Sequence, residues 1–304
     1  MIKYKYVKII KWSYRIREIR MSLGIRYKDE RQIFREIEKE APYLEYPLLA
    51  DTKIVHHGFS TRLGGVSQGC YASMNLSFTR GDDEAAVREN YYRIAKSIGV
   101  KCENMVLSQQ THTTNVRVVT EKDKGKGVVT PLDYTDVDGM VTNIPEICLV
   151  TFYADCVPLY FVDPVQKAIG LSHSGWRGTV GKIGKETIRK MEEQYGSDPK
   201  DILAAVGPSI CKDCYEVSED VILEFQKNFK ERYWKDLFYR KENGKYQLDL
   251  WKANQLVFQE AGIPAENISM PGICTCCNPQ FLFSHRASHG KRGNLAAFLG
   301  IRQN

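Results

Sequence analysis

The sequence predicts an α+β protein in which mixed β-sheets are flanked by helices. Three observations carry that reading. Apolar runs of strand length recur, such as "ICLVTFY" and "VPLYFV"; amphipathic segments of helix length recur, such as "DEAAVRENYYRIAKSIG"; and the two kinds alternate along 304 residues. A hydrophobic content of 43% suffices for a full core. Neither an internal repeat nor a Pro/Gly/Ser-rich linker divides the middle of the chain, so one domain over residues 42–304 is expected behind a basic N-terminal extension over residues 1–41.

The elements follow in order. Residues 27–40, "YKDERQIFREIEKE", read as a charged helix stopped before Pro42. A short strand in "KIVHHGFS" leads to the Gly-rich loop "TRLGGVSQG", then to a helix over residues 83–99 that stops at Gly99. "NMVLSQQTH" and "NVRVV" read as strands, "EKDKGKG" as a polar loop and "ICLVTFY" as a buried strand. "VPLYFV" and "KAIGLS" form a hairpin, and "GTVGKIGKETIRKMEEQYG" is one amphipathic helix ended at Gly196. "ILAAVGPSI" is a further buried strand, "SEDVILEFQKNF" and "DLWKANQLVFQEAG" are helices, and "FLFSH" is a late strand.

The formal charge of +6 is localised. Residues 1–21 hold seven Lys or Arg and one acid, so the entire excess sits in the tail and the remainder of the chain is balanced. That distribution argues against a nucleic-acid-binding body. The tail reads either as an amphipathic surface arm or, preferred for a motif-free charged terminus, as disordered or upstream sequence ahead of a start at Met21. It has no small-residue cleavage site, and no apolar run is long enough for a membrane span, so a cytoplasmic protein without membrane partners is expected. Nine cysteines, an odd number in a long chain, fit reduced thiols or metal ligands better than disulfides.

The hairpin carries the first chemical signal. A symmetric loop over "DPVQ" would set Cys156 directly opposite His173, on one face, with Cβ atoms about 5 Å apart. A one-residue slip would separate them to opposite faces. At that distance a thiolate and an imidazole can share a metal with a third ligand, or His173 can deprotonate Cys156 for nucleophilic attack. A buried Cys beside a satisfied His is the plain structural alternative. "SGWRG" follows the histidine and opens a helix whose N-terminus suits an anion. For a third ligand the chain offers His56, His57, His112, His285 and His289, of which His112, in the polar end of "SQQTH", is the best placed locally.

Other signals are weaker. Cys211/Cys214 and Cys274/Cys277 are two Cys-x-x-Cys pairs with Cys276 between the last two, but residues 215–273 separate them, far beyond compact zinc-ribbon spacing; clustered reduced thiols are expected there. "GTVGKIGKET" imitates a phosphate loop but lacks its glycine spacing and its Ser or Thr. The aromatic and basic stretch "FKERYWKDLFYRKENGKY" is expected to pack rather than to bind nucleic acid.

Seven ordered motifs, "HGFSTRLGGVSQGCYASMNLSF", "QQTH", "DVDGMVTN", "ADCVPLYFVD", "SHSGWRGTVGKI", "GPSICKDCYEV" and "CTCCNPQFLFSHR", resemble the multicopper polyphenol oxidase (laccase-like) family, also called the laccase-domain or YfiH-like purine nucleoside phosphorylase family. The resemblance covers about residues 50–304 and implies an α/β/β/α layered, YfiH-like catalytic domain. It implies a metal bound by His112, Cys156 and His173, which are also the expected catalytic residues, with Zn2+ as the cofactor and Cu2+ as the other ion that suits these ligands. The implied activity is phosphorolysis of adenosine, inosine, guanosine and methylthioadenosine, with adenosine deamination beside it; purine nucleosides and phosphate are the expected partners. Arg62, Arg177 and Arg286 are candidate anion and ribose contacts, and Asn75, Gln110 and Asp155 candidate nucleoside contacts. The end of the chain, "SHRASHGKRGNLAAFLG", departs from the family's Arg-Asp-Gly and Gly-Arg pattern, which leaves His289, Lys291 and Arg292 without an inherited role. Copper-dependent phenol oxidation, a metal-free cysteine hydrolase or peptidoglycan-editing role, and a nucleoside-binding module are the rival readings. Six histidines are too few for a four-copper site.

Overall fold

Alternating apolar residues along the strands build two sheets that share one core. A computed structural model describes residues 23–28 and 34–303 of the chain. Among these residues one six-stranded sheet runs in the order β1 (Arg35–Ile37), β2 (Tyr43–Glu45), β3 (Val55–Ser60), β15 (Leu295–Ile301), β7 (Cys148–Tyr153) and β4 (Met105–Leu107). A second six-stranded sheet runs β14 (Ile268–Ser269), β10 (Leu203–Val206), β8 (Val157–Asp163), β9 (Ala168–Ser174), β6 (Gly139–Thr142) and β5 (Val116–Val118). A small third sheet joins β11 (Glu216–Val217), β13 (Tyr246–Leu248) and β12 (Phe238–Arg240).

The period-two pattern decides the layering. Leu149 and Tyr153 of β7 and Leu295, Ala297 and Leu299 of β15 meet Tyr160, Val162, Ile169 and Leu171 of the second sheet between the two layers. The opposite face of the first sheet, with Val150, Ala296 and Phe298, packs on Val87, Tyr91 and Ile94 of helix α2 (Glu84–Ile98). The opposite face of the second sheet, with Leu159 and Phe161, packs on Ile188 and Met191 of α4 (Ile183–Tyr195) and Phe258 of α7 (Leu250–Glu260). The result is the expected α/β/β/α stack. Shorter helices α1 (Pro47–Ala50), α3 (Trp176–Val180) and α6 (Trp234–Leu237), and α5 (Glu219–Asn228), complete the molecule. No helix among the described residues is long and apolar enough to cross a membrane.

Most elements lie where the periodicity places them. Asp83 caps α2 by accepting from the backbone N–H groups of Ala85 and Ala86, and Gly99 ends it in the left-handed region at φ +87°. Three expectations fail. Part of the helix expected over 27–40 is instead extended, with Tyr27 bridging Ile273 and Arg35–Ile37 pairing with β2; residues 29–33 of that segment lie outside the described residues, as does the basic stretch 1–22. Phe34, ahead of residue 42, is buried beside Tyr46. The single helix expected after the hairpin is broken into α3 and α4 at Gly181 and Lys182, where Lys182 stands at φ +60°. "FLFSH" forms turns, and the last strand is β15, whose apolar run "LAAFLGI" lies between β3 and β7.

β15 is central and buried along its whole length. Phe298→Ala should therefore lower the free energy of unfolding by about 3–5 kcal/mol, the usual cost of deleting a fully buried ring. Urea denaturation checks this, and a loss below about 1 kcal/mol would contradict the central placement of β15.

Candidate metal centre and its cavity

Cys156 and His173 meet because the hairpin register preserves the parity of the expected one. Pro158 pairs with His173 and Val157 with Ser174, so the ladder is shifted by two residues from direct opposition of Cys156 and His173. The cause lies in the turn. The Asp163 carboxylate accepts from the N–H groups of Val165 and Gln166, Asp163 stays in the ladder opposite Ala168, and the loop becomes 164–167 with Lys167 at φ +52°. A two-residue shift leaves both side chains on the same face, as diagonal neighbours.

His112 arrives from the loop after β4, itself in the left-handed region at φ +67°. The ligand atoms of His112, Cys156 and His173 all lie within 4.8 Å of one another. The His112 and His173 rings stand nearly perpendicular, with centroids 4.9 Å apart. Room for this packing depends on Gly175, where an added Cβ would lie 2.9 Å from the His112 ring and 3.3 Å from the Cys156 sulphur.

Asp138, for which the sequence reading names no role, organises the trio. Its carboxylate accepts from the backbone N–H groups of Thr111 (2.9 Å), His112 (3.1 Å) and Thr113 (3.0 Å) and from Nδ1–H of His173 (2.8 Å). Its carbonyl accepts from the His173 N–H. One buried acid thus fixes the His112 loop and leaves Nε2 of His173 for the site. Burial opposes ionisation of Asp138, yet the hydrogen bond and charge of His173 hold its carboxyl below the usual range. Burial likewise raises the Cys156 thiol, but the His173 charge and hydrogen bonds from His112 and His173 bring it down to about 6. For His173, burial lowers the pKa, while the Cys156 charge and the Asp138 hydrogen bond carry it up to about 9. Each group favours the charged form of the other, the imidazolium holding the thiol down and the thiolate holding the imidazole up.

A thiolate and two imidazoles form a donor set that suits zinc or copper, with room for a further ligand. The carboxylate behind His173 is the usual outer support of such a site. The trio forms part of the wall of a cavity of about 860 Å³, a size that suits a small organic ligand. Phe78, Phe152 and Leu132 supply apolar wall, while Arg80, Arg88 and Arg292 supply positive charge.

Of the six candidate substrate contacts, only Gln110 lines this cavity. Its amide is already committed, donating to the Phe152 carbonyl (2.9 Å) and accepting from the Phe152 N–H (2.6 Å). Arg62 does not reach the cavity; it donates to the carbonyls of Ala72 and Pro279 and lies over the Phe283 ring, bracing its glycine loop. Asn75 is buried and spends its amide on Ser77, Asp82 and Asn294. Asp155, at φ +88°, accepts from the Thr275 hydroxyl and the Arg286 N–H. Arg286 donates to the carbonyls of Cys214 and Glu216, and Arg177 is exposed against Trp176. Arg286 also lies over the Tyr215 ring, 5.7 Å from its centroid.

Arg292, left without a role by the sequence, does line the cavity. Its guanidinium bonds the Asn294 side chain, its buried Nε has no hydrogen-bond partner, and burial beside Arg80 lowers its pKa to about 10. Arg80 donates to the Gly290 carbonyl at 3.0 Å. Neither arginine belongs to a motif whose chemistry could be read locally.

These features define an α/β/β/α protein with a one-thiol, two-imidazole metal-type site in the wall of a ligand-sized cavity. The chain belongs to the multi-copper polyphenol oxidoreductase laccase family, matched over residues 56–302. The resemblance carried by the seven motifs is borne out. The chain is 38% identical over 257 residues to the purine nucleoside phosphorylase YlmD of Bacillus subtilis, covering 83% of this chain and 91% of that protein. It is 36% identical over 232 residues to an adenosine deaminase, RL5, of an unknown prokaryotic organism, covering 75% and 87%. The crystal structure of YlmD from Geobacillus stearothermophilus superposes with a TM-score of 0.82 at 34% identity, over 89% of this chain and 99% of that one.

Two outcomes follow from the geometry. Because His173 keeps its proton up to about 9 while Cys156 is ionised above about 6, a metal entering the trio displaces one proton. Zinc affinity, measured by competition with a chromophoric chelator, should rise by about tenfold per pH unit between these values and level off above the upper one. A flat profile would contradict the imidazolium assignment. Gly175→Ala should push the His112 ring aside and weaken zinc binding at least about tenfold with unfolding unchanged; wild-type affinity in that variant would show that the contact is not limiting.

Proposed function

We propose that this chain is a zinc-dependent purine nucleoside phosphorylase that also deaminates adenosine. The observation that carries the reading is the trio His112, Cys156 and His173 in the wall of a cavity that also presents Arg80 and Arg292. The names of the relatives, one a nucleoside phosphorylase and one an adenosine deaminase, support it. Adenosine, inosine, guanosine and methylthioadenosine are the proposed substrates.

In phosphorolysis an oxygen of inorganic phosphate bonds to the ribose anomeric carbon as the bond to the purine nitrogen breaks. The electron pair leaves with the base, which takes up a proton. Arg80 and Arg292 are the groups that would hold the phosphate. Phe78 and Phe152 would cover the purine and exclude water. His112, Cys156 and His173 would hold the zinc ion, which supplies Lewis acidity when bound. Asp138 keeps the Nδ1 proton of His173 in place and so keeps Nε2 aimed inward. In deamination, water replaces the purine amino group and ammonia leaves from the same cavity.

Zinc is preferred over a set of coppers on the donor inventory. Among the described residues the clusters able to share an ion are this trio and one all-cysteine group, neither of which resembles a histidine-rich multicopper site.

The direct test incubates zinc-loaded protein with adenosine, with and without phosphate, and follows adenine, inosine and hypoxanthine by chromatography, alongside His112→Ala and Cys156→Ala. Phosphate-dependent base release lost in both variants is the expected result; no turnover by zinc-loaded wild type would overturn the reading. Arg292→Ala should raise the KM for phosphate about 10- to 100-fold while leaving phosphate-independent deamination little changed, because it removes charge-assisted hydrogen bonds to the anion. An unchanged KM would remove Arg292 from the phosphate site.

A further inference from the structure

The two Cys-x-x-Cys pairs that the sequence sets far apart come together in the fold. Strands β10 and β14 pair in parallel, Ala204 with Ile268 and Ala205 with Ser269, so both leave the sheet at the same end. Each runs on into one cysteine pair, and the two extensions stay in step: Ser209 bridges Cys274, and the Thr275 N–H donates to the Ser209 carbonyl. Parallel pairing therefore cancels the long sequence separation on which a ribbon-type zinc site was set aside. Each pair also forms a tight turn, with the N–H of Cys214 donating to the Cys211 carbonyl and that of Asn278 to the Thr275 carbonyl.

The four sulphurs of Cys211, Cys214, Cys274 and Cys277 all lie within 4.8 Å of one another. Those of Cys214 and Cys277 are 3.5 Å apart, and the Cys211 N–H donates to the Cys274 sulphur at 3.3 Å. Four thiolates around a tetrahedral zinc at about 2.3 Å stand about 3.8 Å from each other, close to this arrangement. All nine cysteines are free, and a disulfide would need a sulphur–sulphur distance of about 2.0 Å. Cys211 and Cys274 are buried, Cys214 and Cys277 half-buried, and Lys28 stands within electrostatic reach of Cys211 and Cys277, where it would offset thiolate charge. Cys276 is not one of the four.

We propose that these four cysteines bind a second, structural zinc ion, in a closed all-thiolate site separate from the His112/Cys156/His173 trio. Its place in the fold gives it a task. The two loops it would join also grip Asp155, the residue before Cys156: the Ile210 N–H donates to the Asp155 carbonyl, and the Thr275 hydroxyl to its carboxylate at 2.6 Å. The four-cysteine site thus acts as a staple behind one ligand of the other centre, with no open position for substrate.

The test uses the full chain, purified under reductant with zinc and then passed over a desalting column. His112→Ala/His173→Ala removes the trio but should keep one tightly held zinc per chain, and cobalt in its place should show the intense visible absorption and thiolate charge transfer of a tetrahedral all-sulphur site. Adding Cys214→Ser/Cys277→Ser should abolish that zinc and the cobalt spectrum. A reduced trio-less variant that is metal-free with four freely titrating thiols would overturn the proposal. So would iron in place of zinc, or a disulfide among the four under reductant. This readout is independent of turnover, so failure of the nucleoside reading and failure of the second site are separately visible.

Discussion

The centre depends on one buried carboxylate. Asp138 sits at the start of β6, completely enclosed, and accepts hydrogen bonds from three successive backbone N–H groups and one imidazole. Hydrogen bonds to a charged group contribute about 1.5–3 kcal/mol each, and an ion buried without them would be far more costly. The loop carrying His112 therefore has little choice but to wrap the acid, which holds that histidine at a positive φ that an unconstrained loop would avoid. Its Oδ1, which accepts from the His112 N–H, also accepts from Nδ1–H of His173 and fixes that ring. Two ligands from different parts of the chain are set by a residue that is not itself in the donor set.

The third candidate ligand, Cys156, is set by separate contacts. Cys156 follows Asp155, whose left-handed backbone is held by Thr275, Ile210 and the Arg286 N–H. Several residues named as candidate substrate contacts spend their polar atoms inside the protein: Arg62, Asn75, Asp155 and Arg286 each spend theirs on backbone or on neighbouring side chains. The charged groups that line the cavity are Arg80, Arg292 and Arg88, the last paired with Glu84.

This division explains what could be read in advance. Parity along a hairpin is local, so the pairing of Cys156 and His173 on one face survives an error of two residues in register. Helix α2 was legible because its cap, apolar stripe and terminal glycine agree. β15 was not read as a strand, since "LAAFLGI" is a short apolar run without alternation and gains its identity from insertion between β3 and β7. Asp138 could have been suspected as an acid opening a buried strand, in "DVDGMVTN", but its partners lie on a loop and on another strand. Each Cys-x-x-Cys pair is visible locally, but their meeting, like the placement of Arg292 in the cavity wall, comes from long-range pairing.

Anomalous diffraction at the zinc edge, from crystals of the zinc-loaded protein, tests the central claim most directly. The account predicts a peak bounded by His112, Cys156 and His173, at about 2.0–2.1 Å from each imidazole nitrogen and about 2.3 Å from the sulphur, with the His173–Asp138 hydrogen bond intact. Zinc-loaded crystals with no peak at that position and the Asp138 bond unchanged would contradict it.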